Sequence, residues 1–174
     1  MPETQSRPAP TWRGDGIPEF PQKVHWLTFD ACKGVLLCGS MGTEVSELLC
    51  VVMYAHAVRV LTVPGGQPIC ASDNRETSCF GRRGQRCASC EDRDGPCRIR
   101  WRIWMREVES EAILAHTLSI TASVNFAKYA DELQQSGHLP SEVITNVFVE
   151  DFTRKRSGLS FRRLQFECAS HAAK

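Results

Sequence analysis

Five of the chain's nine cysteines fall between Cys70 and Cys97, inside a stretch (67–97) that has almost no aliphatic side chains. Such a segment cannot order itself by burying apolar surface, because fixing each residue costs about 1–2 kcal/mol of backbone entropy. It needs another staple, and thiolates gathered on one metal ion supply it. A disulfide framework fits poorly. The cysteine count is odd, and the N-terminal MPETQSRPAPTWRGDG lacks the apolar core of a secretion signal. A reducing, cytoplasmic setting is therefore expected. No apolar run approaches the roughly 18 residues of a membrane span, so no membrane partner is expected.

The centre of the cluster is Cys87-Ala-Ser-Cys90. A C-x-x-C pair puts two thiolates on one tight turn, where they can chelate a single ion. Cys97 follows after six residues and Cys70 precedes by sixteen. Tetrahedral zinc takes four ligands, and the expected set is Cys70, Cys87, Cys90 and Cys97, with Cys79 the spare that could replace Cys70. Four thiolates leave no open position for a reacting water, so the zinc is expected to be structural. Cys32, Cys38, Cys50 and Cys168 lie apart, mostly in apolar runs, and read as small buried hydrophobes.

Around this insert the pattern is mostly β. Residues 1–22 carry five prolines and read as an extended lead-in. Strands are expected at 24–29, 34–38, 44–54 and 56–63, then at 98–107 and, less regularly, 112–120. A helix is expected over 121–135, capped by Thr121 or Ser123, burying Val124, Ala127, Tyr129, Ala130 and Leu133, and stopped by Gly137. Two closing strands, 142–152 and 161–168, flank a charged turn. The expected organisation is one domain over 23–168 with a zinc knuckle at 67–97 and a tail at 169–174. One helix between the third and fourth strands of a small barrel is the order of an OB fold. The competitor is an α+β ferredoxin-like sandwich, which wants a second helix that only 44–55 could supply.

Charge is uneven. From Arg75 to Arg106 there are nine arginines and four acids, a net of +5, while the other 12 basic and 16 acidic residues net −4. Within this stretch, Arg98-Ile-Arg-Trp-Arg-Ile-Trp-Met-Arg106 alternates. Ile99, Trp101, Ile103 and Met105 form an apolar face. Arg98, Arg100, Arg102, Trp104 and Arg106 form the other, a surface suited to phosphates and, through the indole, to bases. Arg82, Arg83 and Arg86 precede it. Arg154, Lys155 and Arg156 lie in the closing turn, which borders the groove of an OB barrel.

With these residues identified, the second half, roughly 68–168, resembles zinc-containing OB-fold single-stranded-DNA-binding proteins of phages and mobile elements. The matching stretches are ICASDNRETSCFGRRGQRCASCEDRDGPCRIRWRI, LSITASVNFAKYADELQQSG, EVITNVFVE and GLSFRRLQFE. The pattern is also similar to T-even phage single-strand-binding proteins, which insert a zinc subdomain into an OB fold. Those use a histidine ligand, and no histidine lies between 57 and 115 here. The resemblance implies single-stranded DNA, favoured over RNA, as partner, in a bacterial or phage-infected cell, with self-association or a nucleoprotein complex as its setting. Two other classes fit the same residues: a zinc-stapled subunit of a larger RNA-guided ribonucleoprotein, holding guide or target backbone, and a zinc-knuckle protein-interaction module. No Walker loop, GxSxG or HExxH motif points to an enzyme.

Overall fold

The computed structural model describes residues 20, 22–38, 42–62, 68–72, 76, 79, 81–82, 84–93, 95–153 and 158–171. Arg83, Arg154, Lys155 and Arg156 lie outside the described residues. Among these residues nine strands and one α-helix follow in the order β1 Val24–Asp30, β2 Val35–Cys38, β3 Thr43–Val45, β4 Glu47–Thr62, β5 Pro68–Ser72, β6 Cys97–Glu107, β7 Ile113–Thr117, α1 Ile120–Gln135, β8 Val143–Thr153 and β9 Ser160–His171. The strands join in one sheet, β3-β2-β1-β7-β6-β4-β8-β9, with β5 also on β4. The sheet curls into a half-barrel, compatible with an OB-like small barrel.

Strand β4 organises this sheet. Its 16 residues are mostly apolar, five of them β-branched, with no glycine or proline, so nothing breaks the pleat. The two strands expected at 44–54 and 56–63 are therefore one. This also removes the helix that a ferredoxin-like sandwich needs at 44–55. The first part of β4 pairs with β8 and its last part with β5, while β6 runs beside it from Cys50↔Glu107 to Leu61↔Cys97. A bulge at Met53 shifts the register between Val52 and Tyr54. One extra residue exchanges the faces. Leu48, Cys50 and Val52 face the core before it, and Ala55 after it, while His56, Val58 and Val60 turn to the opposite face.

The helix covers the core face. Phe126, Tyr129, Ala130 and Leu133 bury against Ile103, Met105, Val143, Val147 and Phe166. Tyr129 shares a hydrogen bond of 2.7 Å with Thr145, and its burial pushes the phenol above its ordinary value. The cap is Ser119, whose Oγ accepts from the Ala122 amide at 3.2 Å, rather than Thr121 or Ser123. Ser123 instead accepts from the Trp101 amide. Val124, expected in the buried stripe, is 64% exposed, because the stripe centres on Phe126. Cys38 and Cys50 are buried as expected, whereas Cys32 and Cys168 are exposed, standing in a turn and on the outer strand β9. Strand β9 runs to His171, past the expected end at 168.

Two further departures concern the insert and the first hairpin. The first residues of the insert are not loop: β5 pairs Cys70 with Leu61 and Ser72 with Arg59. Backbone hydrogen bonding made this strand without an apolar pattern. The parallel pairing of β1 with β7, Val24↔Ile113 to Trp26↔Ala115, places the first hairpin at the side of β7.

His116 sits on β7 facing the core. Its Nδ1–H donates to the Leu27 carbonyl oxygen at 2.8 Å, and burial, outweighing that bond, lowers its pKa below the ordinary value. A lowered pKa means the unfolded chain binds the proton more readily. Stability is then complete above the unfolded pKa of about 6.5 and is lost as pH falls below it, by at most about 1.4 kcal/mol per pH unit. His116→Gln should flatten that fall in urea midpoints measured between pH 7 and 5. An identical pH profile in both proteins would contradict the assignment.

Candidate functional site

The bulge in β4 divides the far half of β4 and β6 into two working faces. On one, Val58 lies opposite Arg100 and His56 opposite Arg102; on the other, Leu61 lies opposite Cys97. The first face is a groove and the second closes on a thiol cavity.

The groove has a volume of about 410 Å³ and is lined by Trp26, Thr28 and Phe29 from β1, Arg100 and Arg102 from β6, and His116 and Thr117 from β7. Arg102 is held at both ends of its guanidinium: Nε donates to Thr117 Oγ1 at 2.9 Å, and the charged carbon sits 5.3 Å from the Trp26 ring centre. Trp26 keeps 53% of its surface exposed. Arg100 donates from Nη2 to Thr62 Oγ1 at 3.1 Å. Its Nε is buried and has no hydrogen-bond partner among the described residues, which also offer it no acid. Burial lowers the Arg100 pKa from its ordinary value. A buried donor left unpaired costs about 1–3 kcal/mol, which a small movement of the side chain toward an anion in the groove would recover.

The structure distributes the expected arginines unevenly. Arg98 is exposed and donates to the Gly95 carbonyl oxygen. Arg86 is exposed at the start of the cysteine turn. Arg82 is committed to the knuckle, 2.8 Å from Asp92 and 3.6 Å from Glu91, and it also donates to Cys90 Sγ at 3.5 Å. Arg106 pairs with Glu111 beyond the far end of the groove. Arg162 and Arg163 pair with Asp151 and Glu150 across the β8–β9 ladder. Ile99, on the apolar face of β6, is 51% exposed, because the helix reaches that face only from Trp101 onward.

Trp104 requires a correction. It was expected to present its indole to a ligand, and it is 3% exposed. Its ring stacks on His56 at 4.9 Å and meets Tyr54 edge-on at 5.7 Å, while Phe20, Val24 and Met53 pack around the same small cluster. Alternation assigns a residue to a face and carries no information about what covers that face. Among the described residues the exposed indole is Trp26, which the reading of β6 passed over. Only the β1–β7 pairing, a contact between distant parts of the chain, brings it there.

The thiol cavity is lined by Cys70, Cys87, Cys90 and Cys97, the four expected ligands, with Arg59, Leu61, Ser72, Arg82 and Arg93. Local backbone explains the gathering. Cys70 on β5 and Cys97 on β6 both lie opposite Leu61, so all three share one face. Cys87–Ser89 forms a single 3-10 turn, closed by the Cys90 amide donating to the Cys87 carbonyl oxygen. Gly81 lets the knuckle touch β5: its φ is +75°, and a Cβ there would stand 2.0 Å from the Ile69 carbonyl oxygen. Cys79 directs its thiol at the Ala71 carbonyl oxygen instead, at 3.4 Å. Burial pushes the Cys97 thiol up, opposed by a bond from Arg59.

The cavity measures about 20 Å³. That is room for one body the size of a water or a single ion. Among the described residues no three cysteine, histidine or carboxylate side chains stand together as a coordination shell. Cys70 and Cys97 are two strand spacings apart, roughly 10 Å between backbones. The donor set is therefore right for zinc and lines one cavity, without being drawn together. Comparison of the chain with family models, with curated proteins and with solved structures finds no match.

Burial of Trp104 has a direct consequence. Trp104→Ala should destabilise the fold by about 3–5 kcal/mol, the usual cost of emptying a buried aromatic site, read from denaturant midpoints. A loss under about 0.5 kcal/mol would mean that the ring is not packed.

Proposed function

We propose that the protein binds nucleic acid without catalysing a reaction, that single-stranded DNA is its preferred ligand, and that its OB-like barrel is stapled by structural zinc. The observation that carries this reading is Arg100: a half-buried guanidinium lining an open groove, with an unpaired Nε and no acidic partner among the described residues. Arg102 beside it and Arg98 at the strand start extend one positive row along β6. A row of arginines is suited to the forked contacts that phosphates accept.

Phosphate contacts release counterions, so affinity falls with salt in proportion to their number, with a slope of about 0.7 per contact on single strands. Changing Arg100 and Arg102 together to Gln should lower the slope of log K against log salt by between one and two units. The measurement is fluorescence anisotropy of a single-stranded oligonucleotide across a salt series, with a duplex of the same sequence as control and weaker binding expected there. An unchanged slope, or no binding at low salt, contradicts the reading.

The role proposed for zinc follows from the insert's poverty in apolar side chains. Cys70, Cys87, Cys90 and Cys97 would hold the ion, whose bonds supply folding energy that the segment lacks. Arg59 and Arg82, bonded to Cys97 and Cys90, would offset the excess negative charge of four thiolates. Protein purified under reducing conditions should carry one equivalent of zinc by elemental analysis, and Cys87→Ser or Cys90→Ser should lose it and melt earlier. A wild-type protein without metal, or a variant that keeps it, would refute the ligand set.

A further inference from the structure

We infer that Trp26 and Arg100 form a clamp for one nucleotide of a single strand, the indole stacking its unpaired base and the guanidinium taking the adjoining phosphate. The inference rests on the nucleic-acid reading of the groove and adds to it a base-contacting residue supplied by the first hairpin rather than by β6.

The Trp26 indole is 53% exposed and lines the groove beside Arg100 and Arg102. It is also oriented in advance. Arg102 caps the ring at 5.3 Å and is itself tied to Thr117, so the indole and guanidinium already form a stack that a base can extend. Arg100 supplies the second, independent observation: its Nη2 is anchored on Thr62, while the buried Nε, on the same groove, has no partner among the described residues. The volume of about 410 Å³ falls within the range of about 300–1,000 Å³ usual for small-ligand sites. A base in a duplex has both faces stacked on its neighbours and cannot offer one to Trp26, so the clamp selects single strands. Because β1 reaches the groove only by pairing with β7, the first hairpin completes the site.

The test compares an oligothymidylate with an abasic strand of equal length, both labelled, at one low salt concentration. Trp26→Ala should weaken binding to the oligothymidylate by about tenfold to a hundredfold and leave the abasic strand unaffected. Trp26→Phe should restore part of the loss, and Arg100→Gln should weaken both strands alike. If Trp26→Ala binds both strands as the wild type does, or loses both equally, the clamp is overturned while the arginine reading stands. If the wild-type protein binds neither strand, the nucleic-acid reading itself falls and the clamp with it.

Discussion

The long pairing of β4 with β6 is the constraint on which the rest of the molecule depends. It runs from Cys50↔Glu107 to Leu61↔Cys97, interrupted once at Met53. That single bulge decides which side chains go inward along the whole second half of β4. Without it, Val58 and Val60 would join the helix-covered core and Arg59 would turn to the groove. With it, the same two strands present arginines to one face and cysteines to the other. The β8 and β5 pairings then depend on β4 at its two ends.

This arrangement separates two kinds of work in one short span of sheet. Leu61, 5% exposed, lies between Cys70 and Cys97 and gives the thiol cavity a dry floor. One residue along each strand, Val60 stands opposite Arg98 on the other face. Ordering of the knuckle thus reaches the groove through the backbone of β6: the Cys97 amide donates to the Asp92 carbonyl oxygen, and the basic strand begins at that residue. Arg59 crosses from β4 to the knuckle, donating to the Arg93 carbonyl oxygen at 3.0 Å. A zinc ion held by these thiols, as proposed, would act at a distance, by fixing where the arginine row starts.

The sequence was most informative where a pattern is local. The helix over 120–135 and the buried Val143, Thr145 and Val147 follow from periods of 3.6 and 2, and so does the assignment of Trp101, Ile103 and Met105 to the core face of β6. Cys70, Cys87, Cys90 and Cys97, grouped in the sequence by the C-x-x-C pair and its neighbours, line one cavity without forming a coordination shell among the described residues. The misses share a cause, which is contact between distant segments. Trp104 is buried because Phe20 and Val24 pack over its face, and Trp26 is exposed in the groove because β1 lies along β7. Arg82 found an acid across the knuckle and Arg106 one in the turn that follows it, a matter of loop geometry that no alternation encodes. Strand β5 owes its existence to the open edge of β4; its five residues are too short a run to carry an alternating signal of their own.

The most direct test of the central claim, that the groove between β1, β6 and β7 is where a single strand lies, is a titration of nitrogen-15-labelled protein with a short single-stranded DNA followed by NMR. The account predicts the largest shifts at the Trp26 indole N–H and at the backbone amides of Thr28, Arg100, Arg102 and Thr117, with the outer face of α1 around Val124 and Lys128 unmoved. Shifts centred on that helix face, or no shift anywhere at low salt, would contradict it.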